Sequence, residues 1–445
     1  MTKLTLRAWL LLILLLSLVA LSPVLAAALT IDQSVALALK NNESYLVARA
    51  QLEKADADVT NAVAGALPNI DFSGTYSRNH EVSTVVFGGE SFRLGTLNNI
   101  NLGLTLTQPI YQGGKLFSAI RIASLYRKYI SEMVRESEGE IIFGVRQAFL
   151  AAILAQNVVG VYRDAVATAE LNRDMVGKMY NQGVVSEYEA LRAEVELANL
   201  KPQLIQAENR AAIALDYLKN LIGLPLDEPV ELVYQLDSCS LSHTFRLDYL
   251  KKVAADNRPA IREREYYQEM LQKAIGVARA GYRPNIELRS SMTWTYQADE
   301  FDVGFNDFNR SWTTSLNVSM PLFDGFATSA AVKKARLDYH SSRLLAEQTR
   351  DQVALEVKEA HLTYLEIADR LEAQAKTVAQ AQEGLRIARL RYQSGVGTQL
   401  EVLSAEAALT MARTNYIQAT HDAALAVYRL QRVTGADNIE ELKEP

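Results

Sequence analysis

Several residue patterns in this chain could support catalysis or metal binding, but each lacks a part that the chemistry needs. Gly113-Gly114-Lys115 is like the end of a phosphate-binding loop, yet the glycine five residues before Gly114 is missing, and Leu116 stands where a hydroxyl should follow the lysine. The histidines, at positions 80, 243, 340, 361 and 421, never fall at metal-ligand spacing. Nucleophile-elbow and zinc signatures are missing as well. We therefore expect a protein that is not an enzyme and that has neither a metal nor a cofactor.

The sequence contains the same series of motifs twice. Gln108-Pro109-Ile110-Tyr111-Gln112-Gly113 is matched 212 residues later by Met320-Pro321-Leu322-Phe323-Asp324-Gly325, and Tyr180-Asn181-Gln182-Gly183-Val184 is matched by Tyr392-Gln393-Ser394-Gly395-Val396 at the same displacement. Upstream, Pro68-Asn69-Ile70 matches Pro284-Asn285-Ile286 at a displacement of 216. A repeat of about two hundred residues is too long for a solenoid motif and indicates two equivalent halves.

The N-terminus has the order of a secretory signal peptide. Lys3 and Arg7 precede an apolar run from Ala8 to Ala20, and small residues follow at positions 24–28. After this segment we expect no stretch long and apolar enough to cross a bilayer as a helix. The net charge of −6 is spread along the chain, which argues against a nucleic-acid partner, and the single cysteine, Cys239, cannot form an internal disulfide.

The hydrophobic period changes along each half. Apolar residues alternate with polar ones in four segments, which predicts strands with one apolar face at residues 69–78, 99–108, 286–297 and 312–320. The stretch around Gly88-Gly89 is predicted as a long loop.

Helices are predicted before and after each pair of strands. The predicted spans are 30–67, 114–181, 186–221, 247–282, 326–393 and 398–434. A helix of 68 residues, as in 114–181, is not stable by propensity alone and must be covered along its length, as in a coiled coil. We expect the shorter helices to cover the long ones end to end, with their junctions near mid-length.

Strands with one apolar and one polar face in an exported protein are typical of an outer-membrane β-barrel, with lipid on one side and water on the other. Four strands cannot close a barrel, because barrels begin at about eight. The chain must therefore oligomerise, and the strand count allows a dimer or a trimer.

The segments at 108–114 and 320–325, the turn Arg391-Tyr392-Gln393-Ser394-Gly395-Val396-Gly397-Thr398 and the following Leu400-Glu401-Val402-Leu403-Ser404-Ala405 resemble the TolC-like outer-membrane efflux proteins. The resemblance covers essentially the whole mature chain. It implies a mainly α fold with a β-barrel part. Long antiparallel helical hairpins would form an α-barrel tunnel, and four strands per chain would contribute to a trimeric 12-stranded outer-membrane β-barrel.

The same resemblance implies a function and partners. The protein would be a homotrimer in the outer membrane of a Gram-negative bacterium, with its tunnel extending into the periplasm. It would serve as the exit duct of a tripartite efflux or type I secretion system. Its partners would be a periplasmic adaptor (membrane fusion) protein, an inner-membrane pump and outer-membrane lipid.

Candidate site residues also follow from the resemblance. The hairpin tips that contact the adaptor in the family correspond to Tyr180, Gly183, Val184 and Val185 in the first half and to Tyr392, Gly395, Val396 and Gly397 in the second. Glu401 matches an acidic residue that lines the periplasmic aperture, where carboxylates favour cations. Glu189 is its equivalent in the first half, and the family's second acidic position falls on Ser404. The barrel-to-helix junction corresponds to Pro109, Gly113, Pro321 and Gly325.

We predict five segments: a signal peptide at 1–28, a first structural repeat at 29–223, a mid-tunnel (equatorial) connector at 224–246, a second structural repeat at 247–435 and a C-terminal tail at 436–445. One alternative is a periplasmic coiled-coil scaffold that never enters a membrane, which the long helices alone would permit. The four amphipathic strands argue against it.

Overall fold

The computed structural model describes residues 27–234, 245–304, 307–436 and 438–442. The predicted signal peptide lies outside the described residues up to position 26. Its last two residues, Ala27 and Ala28, belong to the first strand. Of the predicted connector, residues 235–244 also lie outside the described part.

Helices and strands follow the same order in both halves, apart from extra short strands in the first. The first half contains β1 (Ala27–Leu29), α1 (Ile31–Asn41), α2 (Glu43–Ala64), β2 (Asn69–Arg78), β3 (Ser83–Phe87), β4 (Glu90–Leu94), β5 (Asn98–Gln112), α3 (Lys115–Asn181) and α4 (Glu187–Leu221). The rest contains β6 (Val230–Leu232), α5 (Leu247–Asn257), α6 (Pro259–Arg279), β7 (Asn285–Ala298), β8 (Asn309–Ser319), α7 (Ala327–Gln393) and α8 (Gln399–Thr434). Short 3₁₀ helices cover Ala280–Tyr282 and Ile439–Leu442.

The two long helices and their return helices are confirmed. Both α3 and α7 have 67 residues, or roughly 100 Å at 1.5 Å per residue. The return helices α4 and α8 have 35 and 36 residues. The stop and start signals in the sequence were therefore strong enough to place these ends within about two residues.

The prediction of one continuous helix before each strand pair is wrong. Asn42 has an extended backbone with ψ 121° and ends α1. Its side-chain oxygen accepts hydrogen bonds from the backbone N–H groups of Ser44 and Tyr45 at 3.1 and 3.3 Å, which starts α2. In the second half Arg258 is extended because Pro259, the first residue of α6, disfavours a helical residue before it.

The N-terminal cap of α1 is Thr30, the first residue of the predicted span 30–67. Thr30 and Gln33 form a reciprocal capping box.

Both helix breaks accommodate the close approach of a glycine. Gly223 follows α4 with φ 71°, and a Cβ there would lie 2.6 Å from the Cβ of Asn41. Gly435 follows α8 with φ 70°, and a Cβ there would lie 3.0 Å from the backbone carbon of Asn257. Asn41 and Asn257 thus occupy equivalent places, because at each of them the first short helix of its half ends against the end of a return helix.

The four predicted amphipathic strands form one antiparallel sheet in the order β2-β5-β7-β8. The register aligns the apolar residues on one face, as in the row Phe72, Leu104, Met292, Trp312. Polar residues form the neighbouring row on the other face: Asp71, Thr105, Ser291 and Thr313. Within the chain, β2 and β8 are the edges of this sheet.

The predicted loop around Gly88-Gly89 is a β-hairpin instead. The strands β3 and β4 pair antiparallel, with Phe87 opposite Glu90. Gly88 and Gly89 have φ values of 64° and 95°, which a tight two-residue turn requires. Each of these strands has only five residues, so its alternation of apolar and polar residues was too short to distinguish a strand from a loop in the sequence.

By internal packing the chain divides into two compact units. Among the described residues, unit 1 comprises those within Met1–Val47, Glu136–Arg258 and Val353–Pro445, and unit 2 those within Ala48–Arg135 and Pro259–Gln352. Each half of the sequence therefore contributes to both units. In unit 1 a hydrophobic core cluster surrounds the middle of α3, where Phe149 packs with Leu29 of β1, Leu218 of α4 and Leu232 of β6. The expected junction near the middle of the long helix is confirmed for α3.

The middle of α3 also corrects an expectation about membrane spans. Among the described helices, α3 contains an 18-residue window long and apolar enough to cross a membrane by length and composition alone. Phe149, Leu150 and Ile153 of this helix are buried in the core of unit 1. Core helices pass the same test, so the window carries little weight as a membrane span.

Candidate functional site

Both hairpin tips, which lie in unit 1, end their long helix in the same way. Gly183 and Gly395 have φ values of 73° and 74°, a left-handed conformation that favours glycine. The N–H of Val184 donates to the carbonyl of Met179 at 2.9 Å, and the N–H of Val396 donates to that of Arg391 at 3.0 Å. This is the usual glycine stop of an α-helix. The turn motif that recurs in the sequence therefore has the same backbone geometry in both halves.

The two predicted aperture carboxylates occupy the same helical position. The hydroxyl of Ser186 accepts from the N–H of Glu189 at 3.4 Å, and that of Thr398 accepts from the N–H of Glu401 at 3.3 Å. A carboxylate in the first turn is also favoured by the helix dipole. Glu189 and Glu401 thus have a structural role at a helix start, and their place in an aperture remains a prediction.

The second tip is more tightly built than the first. Glu401 Oε2 accepts from Arg391 Nε at 3.2 Å, which ties the end of α7 to the start of α8. A Cβ on Gly397 would lie 2.8 Å from the Cβ of Arg391 and 2.9 Å from the backbone nitrogen of Tyr392. The first tip carries Val185 at the position of Gly397. Only the second tip therefore needs a glycine here for space.

Two side chains at the second tip have buried polar atoms with no hydrogen-bond partner among the described residues. They are the hydroxyl of Tyr392 and both amide atoms of Gln399, which is 3% exposed. Burial raises the pKa of Tyr392, and the carboxylate of Glu189 raises it further. Glu189 therefore lies close enough to act on the other tip. The repeated turn motif in the sequence pointed to Tyr392. Gln399 was missed, because the identity of a single residue does not show whether its side chain is buried.

A cavity of about 410 Å³ in unit 1 is lined by residues of both helical hairpins, α3–α4 and α7–α8. Two ion pairs lie at its wall: Arg413 with Asp164 at 3.8 Å, and Arg389 with Glu406 at 2.9 Å. The first joins α8 to α3, so it connects the two hairpins. Sequence reasoning missed these pairs, since their partners are far apart in the chain.

The four predicted junction residues lie in unit 2, where strands give way to long helices. Pro109 lies inside β5 opposite Glu287, and the register with β7 shifts between Pro109 and Tyr111. Gly113 has φ 64°, and a Cβ there would lie 2.7 Å from the carbonyl oxygen of Ala280. A side chain at Gly113 is therefore excluded by both backbone conformation and space.

The second junction is more open. Gly325 has φ 65°, but a Cβ there would meet nothing within 4 Å. Pro321 is exposed in the segment between β8 and α7. Phe326 follows with φ 69° and is the one described residue other than glycine with a positive φ. A bulky side chain in this conformation is strained.

Asp324 caps α7 at this junction. Its Oδ2 accepts from the N–H of Thr328 at 2.8 Å and from the Thr328 hydroxyl. These hydrogen bonds lower the pKa of Asp324 below its usual value. The bond from the Thr328 hydroxyl has the largest effect, and the bond from the Thr328 N–H has the next largest. Neither this cap nor the strain at Phe326 was predicted from the sequence.

The family model described as "Outer membrane efflux protein" matches residues 35–224 and 250–436. The chain belongs to this outer membrane efflux protein family. The two matched segments correspond to the two sequence repeats, so the internal duplication is confirmed.

Relatives of known function match most of the chain. The proteases secretion protein PrtF of Dickeya chrysanthemi is 22% identical over 429 residues, which covers 92% of this chain and 88% of the relative. The outer membrane protein TolC of Vibrio cholerae is 20% identical over 403 residues, covering 89% of each. Outer-membrane channels of efflux and secretion systems are thus the proteins that this chain is similar to, and it is an outer-membrane protein.

A solved structure confirms the fold. The crystal structure of the outer membrane protein VceC from Vibrio cholerae matches with a TM-score of 0.78 at 19% identity, covering 91% of this chain and 96% of that chain. The resemblance inferred from the turn and junction motifs is confirmed at the level of family and fold.

Proposed function

We propose that three copies of this outer-membrane protein assemble into a channel-tunnel, which serves as the exit duct of a tripartite efflux or type I secretion system. The observation that carries the proposal is a four-stranded sheet that has one apolar face and two unpaired edges. Such a sheet cannot stand alone in lipid, because every backbone polar group must find a partner there.

The edges of the sheet are accessible along their length. Every residue of β2 is exposed, and every residue of β8 except Ser315. Long exposed edges invite pairing with another copy. Pairing β8 of one protomer with β2 of the next would close a barrel, and three copies of four strands would give the twelve that the family resemblance implies.

Large apolar side chains are also exposed along the helices. Examples on four different helices are Val47 at 57%, Leu171 at 72%, Ile213 at 69% and Leu337 at 58%. Exposed apolar residues repeated along helices of this length need cover from neighbouring chains. This supports continuation of the oligomer from the sheet into a helical tunnel.

The hairpin tips are the proposed contacts with a periplasmic adaptor, which would link the channel to an inner-membrane pump. Tyr180, Val184 and Val396 are 43%, 65% and 72% exposed. An adaptor chain would cover these exposed side chains at both tips.

Glu401 and Glu189 are the proposed carboxylates of the periplasmic aperture. Glu401 is already paired with Arg391, which reduces its net charge toward the lumen. We therefore expect a weaker cation-binding ring than one built from free carboxylates. We also propose that residues 224–246 form a mid-tunnel connector between the structural repeats 29–223 and 247–435.

The experiment is to purify the mature protein in detergent, measure its mass by native mass spectrometry and record currents in planar bilayers. We expect a trimer that forms discrete channels. A dimer would contradict the stoichiometry. Extraction from membranes by high salt without detergent, with no channel activity, would favour the periplasmic scaffold instead.

A further inference from the structure

Unit 2 contains a basic pocket of about 560 Å³ between α6 and α7, directly beside the ends of β7 and β8. Its lining residues are Arg279, Tyr282, Arg283, Ser329, Val332, Lys333 and Arg336. Four of these seven side chains are cationic and none is acidic. We call these four residues the basic groove.

Among the described residues, no member of the basic groove forms an ion pair with a carboxylate. Arg283 donates one hydrogen bond, from Nη1 to the carbonyl of Gly113 at 3.0 Å, and so has a structural task. For Arg279, Lys333 and Arg336 no protein partner is seen among those residues. Clustered charges of one sign create a positive potential that attracts an anion.

The first half of the chain builds the same junction without this charge. The positions equivalent to the seven lining residues carry Val63, Ala66, Leu67, Phe117, Ile120, Arg121 and Ser124. Only Arg121, the equivalent of Lys333, is basic. The fold at this place therefore does not need the basic groove, and its charge calls for another explanation.

Exposed apolar and aromatic residues lie in the segment between β8 and α7. Leu322, Phe323 and Phe326 are 93%, 78% and 72% exposed, and the two phenylalanine rings meet edge to face at 5.6 Å. Aromatic side chains are enriched where the apolar band of a barrel meets water. An aromatic residue therefore occupies position 326 although the backbone there is strained.

We propose that the basic groove binds the headgroup of an anionic glycerophospholipid, such as phosphatidylglycerol, in the periplasmic leaflet of the outer membrane. This rests on the proposed placement of the four-stranded sheet across that membrane. Arginine and lysine bind phosphate oxygens through charge-assisted hydrogen bonds, and Tyr282 can donate a further one. Basic pockets between helices at a membrane surface are suited to acidic lipid headgroups.

The geometry of α7 brings the charges toward the membrane. Lys333 and Arg336 lie about 9 and 14 Å along the helix from Ala327, at 1.5 Å per residue. Helical side chains lean toward the N-terminus of their helix, which here is the end attached to β8. Their long apolar stems also let the cationic groups reach the headgroup layer, which is about 5–7 Å deep on each side of the bilayer.

The test compares two double variants of the full-length protein in detergent. Lys333→Gln with Arg336→Gln removes two charges from the groove and leaves Arg283 in place. Arg121→Gln with Lys334→Gln removes two exposed charges from the equivalent place in the first half and from outside the groove. Phosphatidylglycerol and zwitterionic phosphatidylethanolamine are titrated, and bound lipid is counted by native mass spectrometry.

We expect the unmodified protein to prefer phosphatidylglycerol by at least about tenfold, since each basic residue near a membrane surface contributes roughly 1 kcal/mol. The groove variant should bind it about thirtyfold more weakly, and the control variant should bind it as the unmodified protein does. Equal binding of the two lipids, or an unaffected groove variant, would overturn the proposal. Displacement of the lipid by an equal concentration of glycerol 3-phosphate would assign the groove to a soluble phosphate instead.

Planar bilayer recordings on the same preparations separate this inference from the proposed function. Normal channels without lipid preference would remove the lipid site and leave the channel. An unmodified protein that forms no channel would contradict the function itself, whatever lipid it binds.

Discussion

The two halves of the chain use the same backbone and differ in the side chains placed on it. Both tips turn on a left-handed glycine and start their return helix with a hydroxyl cap and a glutamate three residues later. Yet the second tip alone has an ion pair from Arg391 to Glu401 and a buried Gln399. The duplicated fold therefore preserves what the backbone requires and leaves the side chains free to acquire separate tasks.

The junctions in unit 2 show the same division. Gly113 and Gly325 share a φ near 64–65°, but the first is crowded by Ala280 and the second is open. The next residue is Gly114 in the first half and the strained Phe326 in the second. A comparison of equivalent substitutions in the two halves can show which differences matter.

The largest effect is expected at the two junction glycines. Gly113→Ala combines the cost of a left-handed conformation, about 1–2 kcal/mol, with a clash that adds about 1–3 kcal/mol. Gly325→Ala should cost only the first term. Unfolding midpoints in detergent would measure both, and equal losses would mean that the contact with Ala280 is not rigid.

A smaller effect, of opposite sign in the two halves, is expected one residue later. Phe326→Gly removes the strained backbone and should stabilise the junction by about 1 kcal/mol, less what is lost from the contact with Phe323. Gly114→Ala, which introduces the same strain in the first half, should destabilise by a similar amount. Thermal unfolding of the two variants provides the measurement, and a destabilised Phe326→Gly would show that the ring matters more than the strain.

The tips should differ in their effect on conduction. Glu401→Ala is expected to raise the single-channel conductance or weaken block by divalent cations, because it removes a carboxylate from the proposed aperture. Glu189→Ala should do less. Arg391→Ala, which frees Glu401 from its partner, should strengthen the block. An unchanged record for Glu401→Ala would place that residue outside the aperture.

The smallest expected effect is a pH dependence at the start of α7. The pKa of Asp324 is lowered in the folded protein, so its cap is present above the unfolded pKa of about 3.9 and is lost as pH falls through the folded value. Hydrogen exchange at the Thr328 amide should therefore increase, relative to intrinsic rates, only as pH falls through this lowered folded pKa. The matching amide in the first half should not respond, because Gln112 stands in place of Asp324. In Asp324→Asn the pH dependence should disappear.

Much of the fold was accessible from the sequence because its signals are local. Proline-free apolar periodicity predicted α3 and α7, and the repeated glycines predicted where they end. The amphipathic strands followed from a period of two. The family followed from motifs at the same places, and the tips and junctions were located before their geometry was known.

Other features depend on residues that are distant in the chain. The break at Asn42 reflects the approach of Gly223, and the pairing of β5 with β7 joins the two halves in one sheet. The basic groove arises because Arg279 and Lys333 come together only when α6 lies beside α7. No single-residue propensity reports such contacts.

By itself, the amino-acid sequence determined the duplication, the four amphipathic strands, the ends of the two long helices and of their return helices, and the membership of an outer-membrane family. These depend on side-chain period and on backbone conformations that glycine, proline and capping residues impose locally. Tertiary structure alone decided the strand order, the close approaches at Gly113, Gly223 and Gly435, and the burial of Gln399. The physical reason is that packing, burial and unpaired charge are properties of the space between elements, which is defined only once the chain has folded.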